Sequence, residues 1–79
     1  MKARILVRLK QTVHDPQGQA IHEAFQHMGY NQFKGVRQGK IFDLELGEMA
    51  EPEARRLLDE IGRKILANPI IEEYSIEME

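Results

Sequence analysis

The sequence predicts an α+β domain with the element order β-α-β-β-α-β, in which two helices lie on one face of an antiparallel sheet. Segments near both ends and in the middle of the chain alternate apolar with polar residues, which is the period of a half-buried strand. Two intervening segments repeat apolar residues at helical spacing instead. All connections are short and no segment is repeated or of low complexity, so we expect residues 1–79 to form a single domain.

The first strand covers Ala3–Leu9, where every second residue is apolar and Arg4 and Arg8 lie between. A helix-start signal follows, in which Asp15 is an N-cap and Pro16 occupies the first helical position. The apolar residues of this first helix then recur at helical spacing: Ala20, Ile21, Ala24, Phe25 and Met28. Gly29 supplies the left-handed residue that commonly ends a helix.

The middle of the chain predicts a β-hairpin, with strands at Phe33–Gln38 and Lys40–Leu46. The turn between them at Gly39 requires a positive φ. Arg37 and Lys40 flank this turn. On one interpretation these two exposed cations bind a carboxylate or a phosphate, and on the other they are simply solvated.

The second helix begins near Pro52 and ends before Asn68, with an apolar stripe formed by Ala54, Leu57, Leu58, Ile61 and Ile65. Gly62 interrupts it, and close packing against another helix would explain a glycine there. Acidic and basic residues four apart support its outer face, namely Glu51 with Arg55, Asp59 with Arg63, and Glu60 with Lys64. The last strand, Glu72–Met78, again alternates apolar and polar residues.

In a sheet of order 4-1-3-2, the last strand lies beside the first. Glu73, Ser75 and Glu77 then oppose the face that carries Arg4, Leu6 and Arg8, and opposite charges on neighbouring strands favour this register. The outer face of the sheet is either solvated or packed against a second copy of the chain.

Composition bounds the class of protein. The chain has 79 residues, of which 42% are hydrophobic and 30% charged, with a formal charge of −2 and no cysteine. Such a balance provides no field that attracts nucleic acid or an anionic membrane, and we expect a cytoplasmic protein. A domain this small has a thin core and no disulfides, so we expect oligomerisation to reinforce it.

The stretch VHDPQGQAI, residues 13–21, is polar enough to suggest a reactive site, but it lacks the further glycines and lysine of a phosphate loop. A helix cap accounts for Asp15 and Pro16. It does not account for Gln17 and Gly18, for which we predict contact with a partner, as we do for Arg37 and Lys40.

Residues for covalent or metal chemistry are scarce. Ser75 and Thr12 are the chain's one serine and one threonine. His22 and His27 lie about 140° apart around a helix, which does not suit a shared metal ion. We therefore predict no catalytic, cofactor-binding or metal-binding residue on this chain.

Three segments together resemble one family: VHDPQGQAI, MGYNQFKGVRQGK and ILANPIIEEYSIEM. Across essentially all 79 residues, DPQG, VRQGK and ANPIIEEY follow the order and spacing of PurS, the small subunit of phosphoribosylformylglycinamidine synthase. His14 departs from the family, which more often has an apolar or aromatic residue before DPQG.

The resemblance implies a role in purine biosynthesis, in the ligase step that converts an amide to an amidine with ATP and ammonia from glutamine. A glutaminase subunit releases the ammonia, a large subunit binds ATP and Mg, and the small subunit bridges them without catalysing. The resemblance also implies a homodimer or homotetramer in which protomers exchange strands. A different class remains open, namely a regulatory domain of the same architecture that senses a small molecule. A third alternative, a stand-alone isomerase, would need convergent acid and base groups, which the spacing does not suggest.

Overall fold

The computed structural model describes residues 1–79 and contains three strands and two helices, which are β1 Lys2–Leu9, α1 Pro16–His27, β2 Gly39–Glu45, α2 Glu51–Ile61 and β3 Glu72–Met78. A π-helical turn, Gly62–Leu66, continues α2. The strands form one antiparallel sheet of order β2-β1-β3, with β1 in the centre. The predicted α+β class is confirmed, and both predicted neighbours of the first strand lie beside it.

The outer face of the sheet has the predicted charge pattern. Glu73, Ser75 and Glu77 of β3 pair with Arg8, Leu6 and Arg4 of β1. Arg8 Nε lies 3.6 Å from Glu73 Oε1, and Arg4 Nε donates to Asp43 Oδ1 of β2 at 2.9 Å. Such exposed ion pairs contribute little to stability, but they favour this register over a one-residue slip, which would bring the apolar side chains to this face.

The core lies between the inner face of the sheet and α2. Ala3, Ile5 and Val7 alternate along β1 and are buried with Leu58 of α2 and Ala67, which follows the π-helical turn. Ile5 and Leu58 are no more than 1% exposed. Only a few side chains are buried this completely, which agrees with the thin core expected for a chain of this length.

Gly62 is explained by an aromatic ring rather than by another helix. A Cβ on Gly62 would lie 2.9 Å from the ring of Tyr74 on β3. The Tyr74 hydroxyl donates to Asp59, and this bond raises the pKa of the tyrosine. Asp59 does not form the predicted pair with Arg63, whereas Arg55–Glu51 at 3.2 Å and Lys64–Glu60 at 2.7 Å are present.

The predicted strand Phe33–Gln38 is wrong, and with it the hairpin turn at Gly39. This segment returns along α1 instead, where the ring of Phe33 packs 5.2 Å from that of Phe25 and its carbonyl oxygen lies 2.7 Å from His22 Nε2. Gly39 is the first residue of β2 and pairs directly with Arg8. The one residue with positive φ is Gly29, at 89°, where the predicted helix end is confirmed.

Residues 10–38 therefore form an arm, made of α1 and the segment that returns along it. Gly18 is the one buried residue of α1, so within this protomer α2 alone supplies the helical layer on the sheet. The radius of gyration is 15.9 Å and the longest dimension is 49 Å, whereas a compact chain of this length has a radius of about 12 Å. The arm makes the protomer elongated.

Neither helix has the length and apolarity that crossing a membrane requires.

Candidate functional site

The four residues predicted to contact a partner come together at the base of the arm. Gln17 and Gly18 lie in the first turn of α1, and Arg37 and Lys40 lie where the returning segment enters β2. Gln17 and Lys40 both line a groove of about 170 Å³, while Arg37 and Lys40 line a second groove of about 250 Å³. Residues distant in sequence thus share one small region of the surface.

Asp15 organises this region. Its Oδ1 accepts from the N–H of Gly18 at 2.9 Å, which confirms the predicted N-cap, and its Oδ2 accepts from the N–H of Gln38 at 2.8 Å. The carboxylate therefore ties the start of α1 to the residue before β2. The hydrogen bonds from Gln38 and Gly18 lower the pKa of Asp15 because they stabilise its charged form.

Arg37 makes a second set of hydrogen bonds in this region, to the segment between β1 and α1. Its Nη2 donates to the carbonyl oxygens of Leu9 at 3.4 Å, Lys10 at 3.0 Å and Val13 at 3.2 Å. Its Nε also lies 4.0 Å from Asp15 Oδ2. Arg37 thus holds the segment after β1, and its truncation would disturb the arm as well as any partner contact.

Contacts within this chain explain why residue 18 is a glycine. A Cβ at this position would lie 2.3 Å from the carbonyl oxygen of Val36 and 2.7 Å from Asp15 Oδ2. The returning segment approaches α1 so closely that only a hydrogen atom fits. The fold therefore requires glycine at position 18, and contact of Gly18 with a partner stays a prediction.

Asp15 accepts hydrogen bonds from backbone groups and not from a histidine. Both carboxylate oxygens of Asp15 accept backbone N–H groups, so the acid is committed to the fold rather than to His14. His14 and His22 do line one cavity of about 190 Å³, a proximity that the sequence spacing did not suggest. Ser75 lies opposite Leu6 on the sheet, and its cross-strand neighbour is therefore not a base.

Arg8 is the residue at this site that the sequence did not single out. The sequence predicts only that it lies on the outer face of the sheet, and it does lie there. The structure also places it in both grooves, with Lys40. The register pairs Arg8 with Gly39 and Val7 with Lys40, so the side chains of Arg8 and Lys40 leave the sheet on opposite faces at this end of it.

Comparison with known proteins extends over nearly the whole chain. The family model for PurS, phosphoribosylformylglycinamidine (FGAM) synthase, matches residues 2–79. The phosphoribosylformylglycinamidine synthase subunit PurS of Bacillus subtilis is 40% identical over 78 residues, which cover 99% of this chain and 92% of that protein.

Solved structures are similar to the same extent. PurS of Methanocaldococcus jannaschii has a TM-score of 0.88 and 35% identity, covering 99% of this chain and 94% of that one. A chain in the PurLQS structure from Thermotoga maritima also has a TM-score of 0.88, at 28% identity, and covers 96% of this chain and 93% of that one. The three-stranded sheet with its projecting arm is therefore a shared architecture.

Proposed function

This chain belongs to the PurS family of phosphoribosylformylglycinamidine synthase, and we propose that it is the non-catalytic subunit that bridges the glutaminase and the ATP-dependent amidine-forming subunit of that enzyme. The observation that carries the proposal is the similarity, over 96% of this chain, to a chain of the PurLQS complex. A subunit without an active site of its own contributes by holding its partners in the geometry that transfers ammonia between them.

The residues of the chain support this division of labour. Cysteine, which would supply a glutaminase nucleophile, is absent from the sequence. The buried carboxylate of Asp15 accepts hydrogen bonds from backbone N–H groups. Gly18, which donates one of them, is explained by the close approach of Val36 and not by a phosphate-binding loop. We place ATP and Mg on the large subunit, and the complex in the cytoplasm.

The shape of the protomer supports self-association. Within the arm, Ile21, Met28, Tyr30 and Phe33 are 37–73% exposed. Full burial of an exposed apolar side chain is worth about 1.5–3 kcal/mol, and each of these partly exposed side chains would contribute a fraction of that. A homodimer or homotetramer in which the arm of one copy packs on another copy would bury them. The exchange of strands between protomers that the family resemblance implies is a separate feature of such an assembly and stays a prediction.

Reconstitution from purified subunits tests the bridging role. The synthase is assembled with and without this chain, and turnover is measured with glutamine or with an ammonium salt as nitrogen donor. We expect omission of the chain to abolish glutamine-dependent turnover and to leave much of the ammonium-dependent turnover. The reason is that transfer of ammonia between the subunits would be lost, whereas the amidine-forming reaction on the large subunit would remain.

Equal glutamine-dependent rates with and without the chain would show that the bridging role is wrong. A small-molecule-sensing regulatory domain would then be the better interpretation. Equal loss of both activities would instead show that the chain contributes to the chemical step.

A further inference from the structure

The arm is joined to the sheet at two neighbouring points. Lys10, which follows β1, donates its backbone N–H to the carbonyl oxygen of Ile71 at 2.9 Å and so extends the ladder of β1 with β3 by one residue. The returning segment re-enters the sheet at Gly39, which pairs with Arg8. Neighbouring strands lie about 5 Å apart, whereas the twelve residues of α1 span about 18 Å. Two connections so close together act as a hinge axis, and other contacts have to restrict rotation of the arm about it.

Little apolar packing holds the arm against the sheet. The buried hydrophobic residues of the protein all lie outside residues 10–38, namely Ala3, Ile5, Val7, Ala54, Leu58 and Ala67. Within the arm only Asp15 and Gly18 are buried, and the atoms that crowd Gly18 belong to Asp15 and Val36 of the arm itself. Hydrophobic burial, the dominant favourable contribution to folding, therefore holds the sheet and α2 together and does not fix the direction of the arm.

The two halves of the arm, in contrast, are fastened to each other along their length. The rings of Phe25 and Phe33 lie 5.2 Å apart, and His22 Nε2 lies 2.7 Å from the carbonyl oxygen of Phe33. Nearer the base, the carbonyl oxygen of Val36 approaches Gly18 so closely that a side chain would not fit between them. α1 and the returning segment therefore form one rigid unit.

Two charged side chains bind this unit to the ends of the strands. Arg37, on the returning segment, donates from Nη2 to the carbonyl oxygens of Leu9 at 3.4 Å and Lys10 at 3.0 Å, where β1 ends. Asp15, at the start of α1, accepts from the N–H of Gln38 at 2.8 Å, next to the first residue of β2. Arg37 Nε lies 4.0 Å from the buried Asp15 Oδ2, which links the two sets of bonds. Hydrogen bonds that involve a charged group are stronger than those between neutral groups.

We propose that Asp15 and Arg37 form a latch that sets the direction in which the arm leaves the sheet, and that opening the latch lets the arm pivot as one rigid unit about Lys10 and Gln38. Rotation of rigid units about a few residues at the ends of elements is a common form of conformational change. The latch also determines where the exposed apolar side chains of the arm are presented, and this consequence for assembly rests on the proposed function. The direction of the arm is measured within one copy, so failure of the latch and failure of the assembly are distinguishable.

Pairs of spin labels measure the direction of the arm. The chain has no cysteine, so introduced cysteines are labelled specifically. One pair, Gln26→Cys with Glu53→Cys, joins α1 to α2, and the other, Gln32→Cys with Glu53→Cys, joins the start of the returning segment to α2; all three positions are exposed. Distance distributions are recorded by double electron–electron resonance in an excess of unlabelled chain of the same variant, so that most oligomers contain at most one labelled copy.

Arg37→Met removes the donors of the latch and keeps a long, flexible side chain. Lys34→Met is the matched control, because it removes the same charge and introduces the same residue at an exposed position of the returning segment. A rotation of about 15°, a size seen between rigid bodies in proteins, moves the far end of an 18 Å helix by about 5 Å. We expect Arg37→Met to broaden both distance distributions by about this amount with unchanged helix content by circular dichroism, and Lys34→Met to match the wild type.

Four outcomes would overturn the proposal. Unchanged distributions in Arg37→Met would show that the connections or a second copy fix the arm instead. Broadening of the Gln32 distribution alone would show that the returning segment separates from α1 and that the arm is not one rigid unit. Equal broadening in Lys34→Met would assign the effect to the lost charge, and loss of helix content in Arg37→Met would assign Arg37 to the stability of α1.

Discussion

Helix propensity and steric contact make opposite predictions for Gly18→Ala. Gly18 lies in the first turn of α1, where alanine improves helix stability by at most about 1 kcal/mol. Its new Cβ would lie 2.3 Å from the carbonyl oxygen of Val36 and 2.7 Å from Asp15 Oδ2. Neither oxygen can retreat freely, because Asp15 holds Gly18 and Gln38 together through its two hydrogen bonds.

We therefore expect the steric overlap to outweigh the gain in helix propensity and Gly18→Ala to be destabilising. Overpacking costs about 1–3 kcal/mol, and the contact of 2.3 Å with a backbone oxygen places this substitution at about 2–3 kcal/mol. A net loss of roughly 1–2 kcal/mol remains after the helix gain of about 1 kcal/mol is subtracted. For a domain of this size each kcal/mol lowers Tm by about 4–8 °C, so the expected fall is on the order of 10 °C. Thermal unfolding followed by circular dichroism, at one fixed protein concentration because the chain is expected to self-associate, measures it.

Gly35→Ala is the matched control. Gly35 lies in the same arm, and nothing lies within 4 Å of a Cβ built on it, nor is its φ positive. Its substitution should leave stability within about 0.5 kcal/mol of the wild type. If Gly18→Ala were as stable as the wild type or more so, the close approach of Val36 to α1 would not constrain the fold, and our explanation of this glycine would fail.

Two further predictions concern the acid and the assembly. Because the folded pKa of Asp15 is depressed, its contribution to stability is present above its unfolded pKa of about 3.9 and is lost as pH falls through the lower folded pKa. Unfolding by denaturant should therefore show that Asp15→Asn is less stable than the wild type at neutral pH and that its stability depends less on acid pH. An unchanged dependence of stability on acid pH would contradict this. Sedimentation of the wild-type chain at micromolar concentration should show a dimer or tetramer, and finding only the 9.2 kDa species would refute the assembly.

Local spacing in the sequence was sufficient for most elements. The period of two predicted Glu72–Met78 with the bounds that the structure has, and Asp15, Pro16 and Gly29 marked both ends of α1 correctly. These features depend on interactions between residues close in the chain, whose side chains share a face or cap the neighbouring turn. The register of β3 was also predictable, since opposite charges on β1 and β3 select it.

The segment Phe33–Gln38 could not be predicted in the same way. It contains residues that suit a strand, but its structure depends on contacts with α1, namely those of Phe33 with Phe25 and His22. A propensity reports what a segment adopts when its surroundings are average. Here the returning segment packs on a helix, and no pattern within the segment indicates that helix.

The candidate site, too, could be predicted from the sequence only in part. Sequence alone identified the family and indicated that Gln17, Gly18, Arg37 and Lys40 were not explained by capping or by the core. Only the tertiary structure showed that Gly18 accommodates the carbonyl of Val36, that Arg37 binds three backbone carbonyl groups, and that Arg8 joins Lys40 in one groove. The physical reason is that local spacing determines which way a side chain faces on its own element, whereas a groove is formed by elements that meet across the chain, and their meeting depends on packing and hydrogen bonds that no single segment contains.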